Sequence, residues 1–158
     1  MATGDILNKY GTAASYGITL DTGLANNDGQ IGPKIDNSTN GYTSIRITGN
    51  VTPSGTATAG NRLDIYLLSQ DLVTTPNVVT EDYTIADAAT TTQPEHIIPV
   101  YSMIVPDSPA ADEALHFDFV IHEVPIAWGL LFWNAVGVGV KATGSEVYYV
   151  GQYKQVSA

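Results

Sequence analysis

The sequence predicts an all-β fold: an antiparallel β-sandwich, jelly-roll-like, with about eight strands in a single domain and a flexible N-terminal arm. Three observations predict it. Apolar residues recur with a period of two along most of the chain, as half-buried strands require. Sustained helical periodicity is nearly absent. Clusters of Gly, Pro, Asn, Asp and Ser punctuate the alternating runs. At 158 residues the chain has the length of one domain, with enough core to fold without disulfide staples. The expected division is an arm over residues 1–12 and a sandwich over residues 13–158.

Taken in order, residues 1–12 carry Ile6, Leu7 and Tyr10 without alternation and read as an arm, either unordered or docked on a partner. Strands are expected near 16–21 and 30–35, separated by the turn Asn26-Asn27-Asp28-Gly29. After Asn40-Gly41, the run 43–48 sets Ile45 and Ile47 on one face and Arg46 and Thr48 on the other. Ser54-Gly55 precedes the run 62–68, with Leu63, Ile65 and Leu67 inward and Asp64 and Tyr66 outward. Residues 72–95 are Thr-rich, contain Pro76 and Pro94, and read as a long excursion with one short helical turn at 86–89; loops of that length commonly serve binding or assembly. A strand at 97–105 leads to the turn Pro106-Asp107-Ser108-Pro109. The run 115–121 places Leu115, Phe117, Phe119 and Ile121 on one face, opposite His116, Asp118, Val120 and, just beyond, His122. Strands at 126–134 and 146–153, on either side of Thr143-Gly144, complete the set, and Leu63, Ile65, Phe117, Phe119 and Trp128 are the expected core.

Six basic and sixteen acidic side chains give a formal net charge of −10. Nucleic acids and anionic membranes attract proteins with a positive field, so neither is an expected partner. The absence of cysteine excludes disulfides, thiolate zinc sites and Cys nucleophiles. Charged residues make up 14% of the chain against about 25% in a typical domain, which suits a surface that packs on neighbours or meets neutral, sugar-like groups. Residues 1–9 have no secretory character, and the longest apolar stretch, 126–133, falls far short of the roughly 20 residues of a spanning helix. The expected site of assembly is therefore the cytoplasm. The sequons at Asn37 and Asn50 accordingly read as plain sequence.

Candidate chemistry is sparse. His116, Asp118 and His122 share a strand face, with His96 elsewhere, but residues four apart on a strand lie roughly 13 Å apart, too far for one ion. Asp107, Asp112, Glu113, Asp118 and Glu123 lack the spacing of a calcium loop. Neither a nucleophile elbow, a zinc-protease helix nor a phosphate loop occurs. No enzyme activity, cofactor or metal is expected. More telling is the apolar character of both faces at 126–133, where Ile126, Trp128, Leu130 and Phe132 oppose Ala127, Gly129, Leu131 and Trp133. The run 97–105 repeats it, with Ile98, Val100 and Ile104 opposing Tyr101, Met103 and Val105. A sandwich strand has one wet face, so the second must be covered. Either the 72–95 segment covers it, or a subunit interface does, formed by Tyr101, Met103, Leu131, Trp133, Ile98 and Ile104.

Several short motifs are spread along the chain. They are Gly11-Thr12, Ile18-Thr19-Leu20, Leu24-Ala25-Asn26-Asn27 and Ile35-Asp36-Asn37-Ser38-Thr39-Asn40, then Ser54-Gly55-Thr56-Ala57 and Ile65-Tyr66-Leu67, and finally Pro125-Ile126-Ala127-Trp128-Gly129 with Asn134, and Tyr149-Val150-Gly151. In this ensemble the chain resembles a widespread group of small tailed-bacteriophage virion proteins, over residues 11–151. The resemblance implies a β-sandwich virion component of head or tail, without catalytic residues. The expectation is a capsid decoration or cement subunit on the head exterior, assembled in the host bacterial cytoplasm. It would bind the major capsid protein or other virion proteins and itself, most simply as a trimer. The alternative is a tail or fibre component that binds a carbohydrate receptor through Tyr42, Tyr66 and Tyr148.

Overall fold

The computed structural model describes residues 5–20, 24–70, 85, 87–107, 109–141 and 143–156. It is all-β: two antiparallel sheets face each other as a sandwich. The front sheet runs β1 (Ile6–Tyr10), β11 (Glu146–Val156), β5 (Ser44–Val51), β9 (Leu115–His122), and β2 (Ala14–Ser15) also pairs with β11. The back sheet runs β7 (Ala88–Thr90), β3 (Asp28–Ile31), β10 (Ala127–Ala135), β6 (Arg62–Gln70), β8 (Tyr101–Ile104), with β4 (Ile35–Asp36) also on β10.

The alternation read in the sequence is what closes the core. Ile45 and Ile47 from β5 and Phe117 and Ile121 from β9 meet Leu63 and Ile65 from β6 and Trp128, Leu130 and Phe132 from β10. Fully burying a side chain of this size contributes about 1.5–3 kcal/mol relative to exposure. Of the expected core, Leu63, Ile65, Phe117 and Trp128 are buried, while Phe119 is half-buried at the rim. Tyr16 stacks on Trp128 with ring centroids 5.6 Å apart, and Tyr149 meets the indole edge-on at 5.4 Å. The Tyr16 hydroxyl accepts from the Leu130 amide at 2.6 Å and donates to the Pro33 carbonyl at 3.0 Å.

Two asparagines tie the loops to this core. Buried Asn37 accepts from the Tyr42 amide at 2.8 Å and donates to the Tyr42 carbonyl at 2.9 Å, which closes the turn before β5. Buried Asn134 directs its amide at the carbonyls of Leu24, Ala25 and Val138 and accepts from the Val136 amide. Both belong to the motifs that carry the resemblance, and both act as scaffold. The Asn37 carboxamide is thereby engaged at both ends, which removes it as an accessible sequon.

A second apolar cluster lies on the outer side of the back sheet: Ile31, Tyr66, Leu68, Ile85, Leu131 and Trp133. Ile85 supplies part of its cover. Its Cγ2 sits where a Cβ on Gly129 would be, only 2.4 Å from that ideal position, so glycine is what lets it descend onto β10. Asp87 clips the same segment down, accepting from the Thr19 amide at 3.1 Å, from the Thr19 hydroxyl, and from Gln30 Nε2 at 2.9 Å.

Several expectations change. The segment expected as a flexible arm holds β1, paired with β11 from Ile6↔Val156 to Tyr10↔Gln152; its hydrogen bonds come from the sheet, which local alternation does not report. The strand expected at 16–21 is irregular over Tyr16–Leu20, because Tyr16 turns inward to Trp128 and pairing ends at Ala14–Ser15. Gly32 to Lys34 break the 30–35 run into β3 and β4. The helical turn expected at 86–89 is replaced over Ala88–Thr90 by β7, which pairs with β3, while residues 71–84 and 86 lie outside the described set. The 97–105 strand contracts to Tyr101–Ile104.

Candidate interaction surface

The outer face of the front sheet is built from rungs that the register defines. Glu146, Asn50 and His116 form one; Tyr148, Thr48 and Asp118 the next; then Val150, Arg46 and Val120; then Gln152, Ser44 and His122, with Tyr10 continuing the last on β1. Because side chains alternate along each strand, these sets share one side of the sheet. Tyr10, Ser44, Arg46, Asp118, Val120, His122, Val150 and Gln152, with the Phe119 rim, line a cleft of about 660 Å³, within the roughly 300–1,000 Å³ of typical ligand sites.

Some of the cleft's polar groups are paired with one another. Arg46 grips Asp118 with both arms, Nε to Oδ1 at 2.8 Å and Nη2 to Oδ2. That double hydrogen bond holds the Asp118 carboxyl below its ordinary value and raises the guanidinium's. Ser44 Oγ donates to Gln152 Oε1 at 2.8 Å. Apolar Val120 and the Tyr10 ring stand exposed beside these pairs. Such a surface can bind by packing and hydrogen bonding; a fixed guanidinium–carboxylate fork offers donors and acceptors together.

The residues expected at a subunit interface separate into three groups. Leu131 and Trp133 are buried in the outer cluster of the back sheet under the chain's own cover, so the face they share is closed by the chain itself. Met103 is buried in the central core, and Tyr101 stacks on Phe119 at 4.7 Å across the mouth of the sandwich. Only Ile98 and Ile104, 87% and 66% exposed, stand open, Ile104 on the edge strand β8 and Ile98 just before it.

Of the tyrosines expected to stack on sugars, Tyr66 is buried, and Tyr42 lies half-buried with its ring against Gly151, where a Cβ would come within 2.2 Å of it. Both are corrections: packing on their own chain occupies the faces a sugar would need. Tyr148 is exposed, with its hydroxyl 3.3 Å from Glu146. The loop Asn26-Asn27-Asp28-Gly29 is a turn, with Asn27 at φ 64° and the Asn26 side chain accepting from the Gly137 amide. In the acidic run, Asp112 pairs with Lys141 at 2.9 Å and Glu113 accepts from the Ala110 amide at 2.9 Å. Among the described residues, no three His, Asp or Glu side chains converge on a metal position, and no helix is long and apolar enough to cross a membrane.

Sequence reasoning missed Ser44, Val150 and Gln152 as neighbours of Arg46 and Asp118. The outward sets of each strand were readable; the register that brings three distant strands side by side was not. Comparison with family models, with curated proteins and with solved structures gives no match.

Proposed function

We propose that the chain is a non-enzymatic structural subunit of a tailed-bacteriophage virion, attached to the outside of the head as a decoration or cement protein and assembled in the bacterial cytoplasm. The observation that carries this reading is the strand order. With β1 and β2 taken as one interrupted strand and the short β4 and β7 set aside, eight strands remain, in the orders β1/β2-β11-β5-β9 and β3-β10-β6-β8. The chain crosses between sheets at each step except from β6 to β8. That wiring supports the jelly-roll reading, an architecture of viral capsid and lectin domains. The resemblance motifs support it too: Asn37, Trp128, Gly129 and Asn134 build the sandwich, so the likeness is one of architecture. Fold alone does not name a function, and the outward face of the front sheet supplies the rest, a broad sheet surface suited to packing on the major capsid protein or another virion protein.

The test is co-sedimentation of the purified protein with capsid shells that lack it. Binding is expected, together with its loss in Val120→Asp or Arg46→Glu while circular dichroism shows the sandwich still folded. Failure to bind shells, or binding that both variants leave intact, contradicts the proposal.

The tail or fibre reading has one observation in its favour: the exposed Tyr10 and Tyr148 rings lie beside the Arg46–Asp118 fork, a combination that suits neutral sugars. Glycan binding by the purified protein, abolished in Tyr10→Ala, is the outcome that favours it.

A further inference from the structure

We infer that β1 is a self-complementary edge through which two copies join front sheet to front sheet in an antiparallel, two-fold pair. The inference rests on the strand edge alone and stands apart from the virion reading. Among the described residues, β1 has a strand on one side only.

Its backbone is set for a partner. The Gly11 amide donates to the Gly151 carbonyl at 2.8 Å. Because hydrogen-bonded and open positions alternate along an antiparallel pair, Leu7 and Lys9 also turn their backbone groups towards β11, whereas Ile6, Asn8 and Tyr10 turn theirs outward. A second β1 running antiparallel about Asn8 meets this pattern at every position. Asn8 exchanges N–H and C=O with the partner subunit's Asn8, and Ile6 does so with the partner subunit's Tyr10 and Tyr10 with the partner subunit's Ile6, about six hydrogen bonds in all.

The side chains fit the same register. Ile6 and Tyr10, 69% and 71% exposed, become directly opposed, an aromatic–aliphatic pairing that stabilises neighbouring strands. Lys9 falls opposite the partner subunit's Leu7, so no like charges meet. A pair centred one residue later would set Lys9 against its own copy; one centred a residue earlier would leave Tyr10 without a partner on the strand.

The ribbon also has need of another strand. The last rung shared with β5 is Gln152↔Ser44, and beyond it, among the described residues, Tyr153 to Val156 pair only with Ile6 to Lys9. Two-stranded ribbons are marginal in water, and a third strand is what makes them persist. The other edges are poorer candidates. β7 has three residues and β8 four, the latter flanked by Pro99 and Pro106. β9 presents His116, Asp118 and His122 along its outer face. Isologous pairing of a single edge produces a two-fold dimer, so the association at this surface is a pair, in place of the expected trimer.

The experiment uses the full chain, measured by light scattering across a concentration series up to the millimolar range, with two variants. Asn8→Pro removes an N–H that points away from β11, so the fold keeps its ladder and only the partner's bond is lost. Asn8→Cys introduces the chain's only cysteine, placed opposite its own copy at a Cα separation of about 5.5 Å, within disulfide range. Expected are a wild-type dimer, a monomeric Asn8→Pro protein with unchanged circular dichroism, and rapid oxidation of Asn8→Cys to a covalent dimer, with Leu7→Cys far slower. The inference is overturned by a wild-type monomer whose Asn8→Cys form does not cross-link, by a dimer that Asn8→Pro leaves intact, or by Leu7→Cys cross-linking as readily as Asn8→Cys.

Discussion

Tyr16 commits its ring face to Trp128 and its hydroxyl to the Leu130 amide and the Pro33 carbonyl. Burial pushes its phenol far above the ordinary value, so it is a neutral hydroxyl near neutral pH. Tyr16→Phe keeps the stack and strands a buried amide; it should cost about 1–3 kcal/mol in denaturant unfolding, whereas Tyr148→Phe on the surface should stay within about 0.5 kcal/mol of wild type. Asn134→Ala leaves several carbonyls and an amide unpartnered at once and should cost about 2–4 kcal/mol. Two exposed carboxylates contribute to the acid behaviour. The Arg46 hydrogen bond lowers Asp118, and the Ser38 hydroxyl and amide lower Asp36. A lowered folded value means the stabilisation is in place above the unfolded carboxylate range and disappears as pH falls through the lower folded values. The melting temperature should therefore decline below about pH 4, and Asp118→Asn should flatten that decline.

Among the elements, the long central strands were the legible part. β5, β6, β9 and β11 follow the alternation because each has one face on the shared core, and burial imposes the period; β10 stands out by being buried on both faces. β2, β4 and β7 are two or three residues long, too short for a periodic signal, and β1 has almost no buried side to betray it. These exist because a neighbouring strand offers hydrogen bonds, which single-chain periodicity does not encode. The two-sided apolar pattern of β10 was read correctly as a face needing cover, but the pattern does not say what covers it. In the structure Ile85 and the Asp87 clip do so, and with them Trp133 moves from an expected interface to an internal cluster. Asp87→Ala should loosen this cover while leaving the central core folded; blue-shifted tryptophan emission should move to the red and a dye specific for exposed apolar surface should bind. Trp133→Asp should destabilise the isolated chain by more than about 4 kcal/mol, because it buries a carboxylate where an indole packs.

At the scale of the whole molecule, the sandwich joins a scaffold with almost no chemistry in its motifs to two outward features, a sheet face and a strand edge. The outward residues of each strand were legible in advance, Arg46 and Asp118 among them. The site they form was not, since Arg46 and Asp118 lie 72 residues apart and Val150 comes from a third strand. A charge of −10 opposes indiscriminate self-association, which leaves docking to surfaces whose hydrogen bonds and shape match. The proposed position on the head of a virion is tested most directly by electron cryo-microscopy of purified particles of the phage that encodes this chain. Density for the sandwich is expected on the outer surface of the capsid, with the face bearing Arg46, Asp118 and Val120 turned towards its neighbours. Density confined to the tail or its fibres, or particles without the chain, would contradict it.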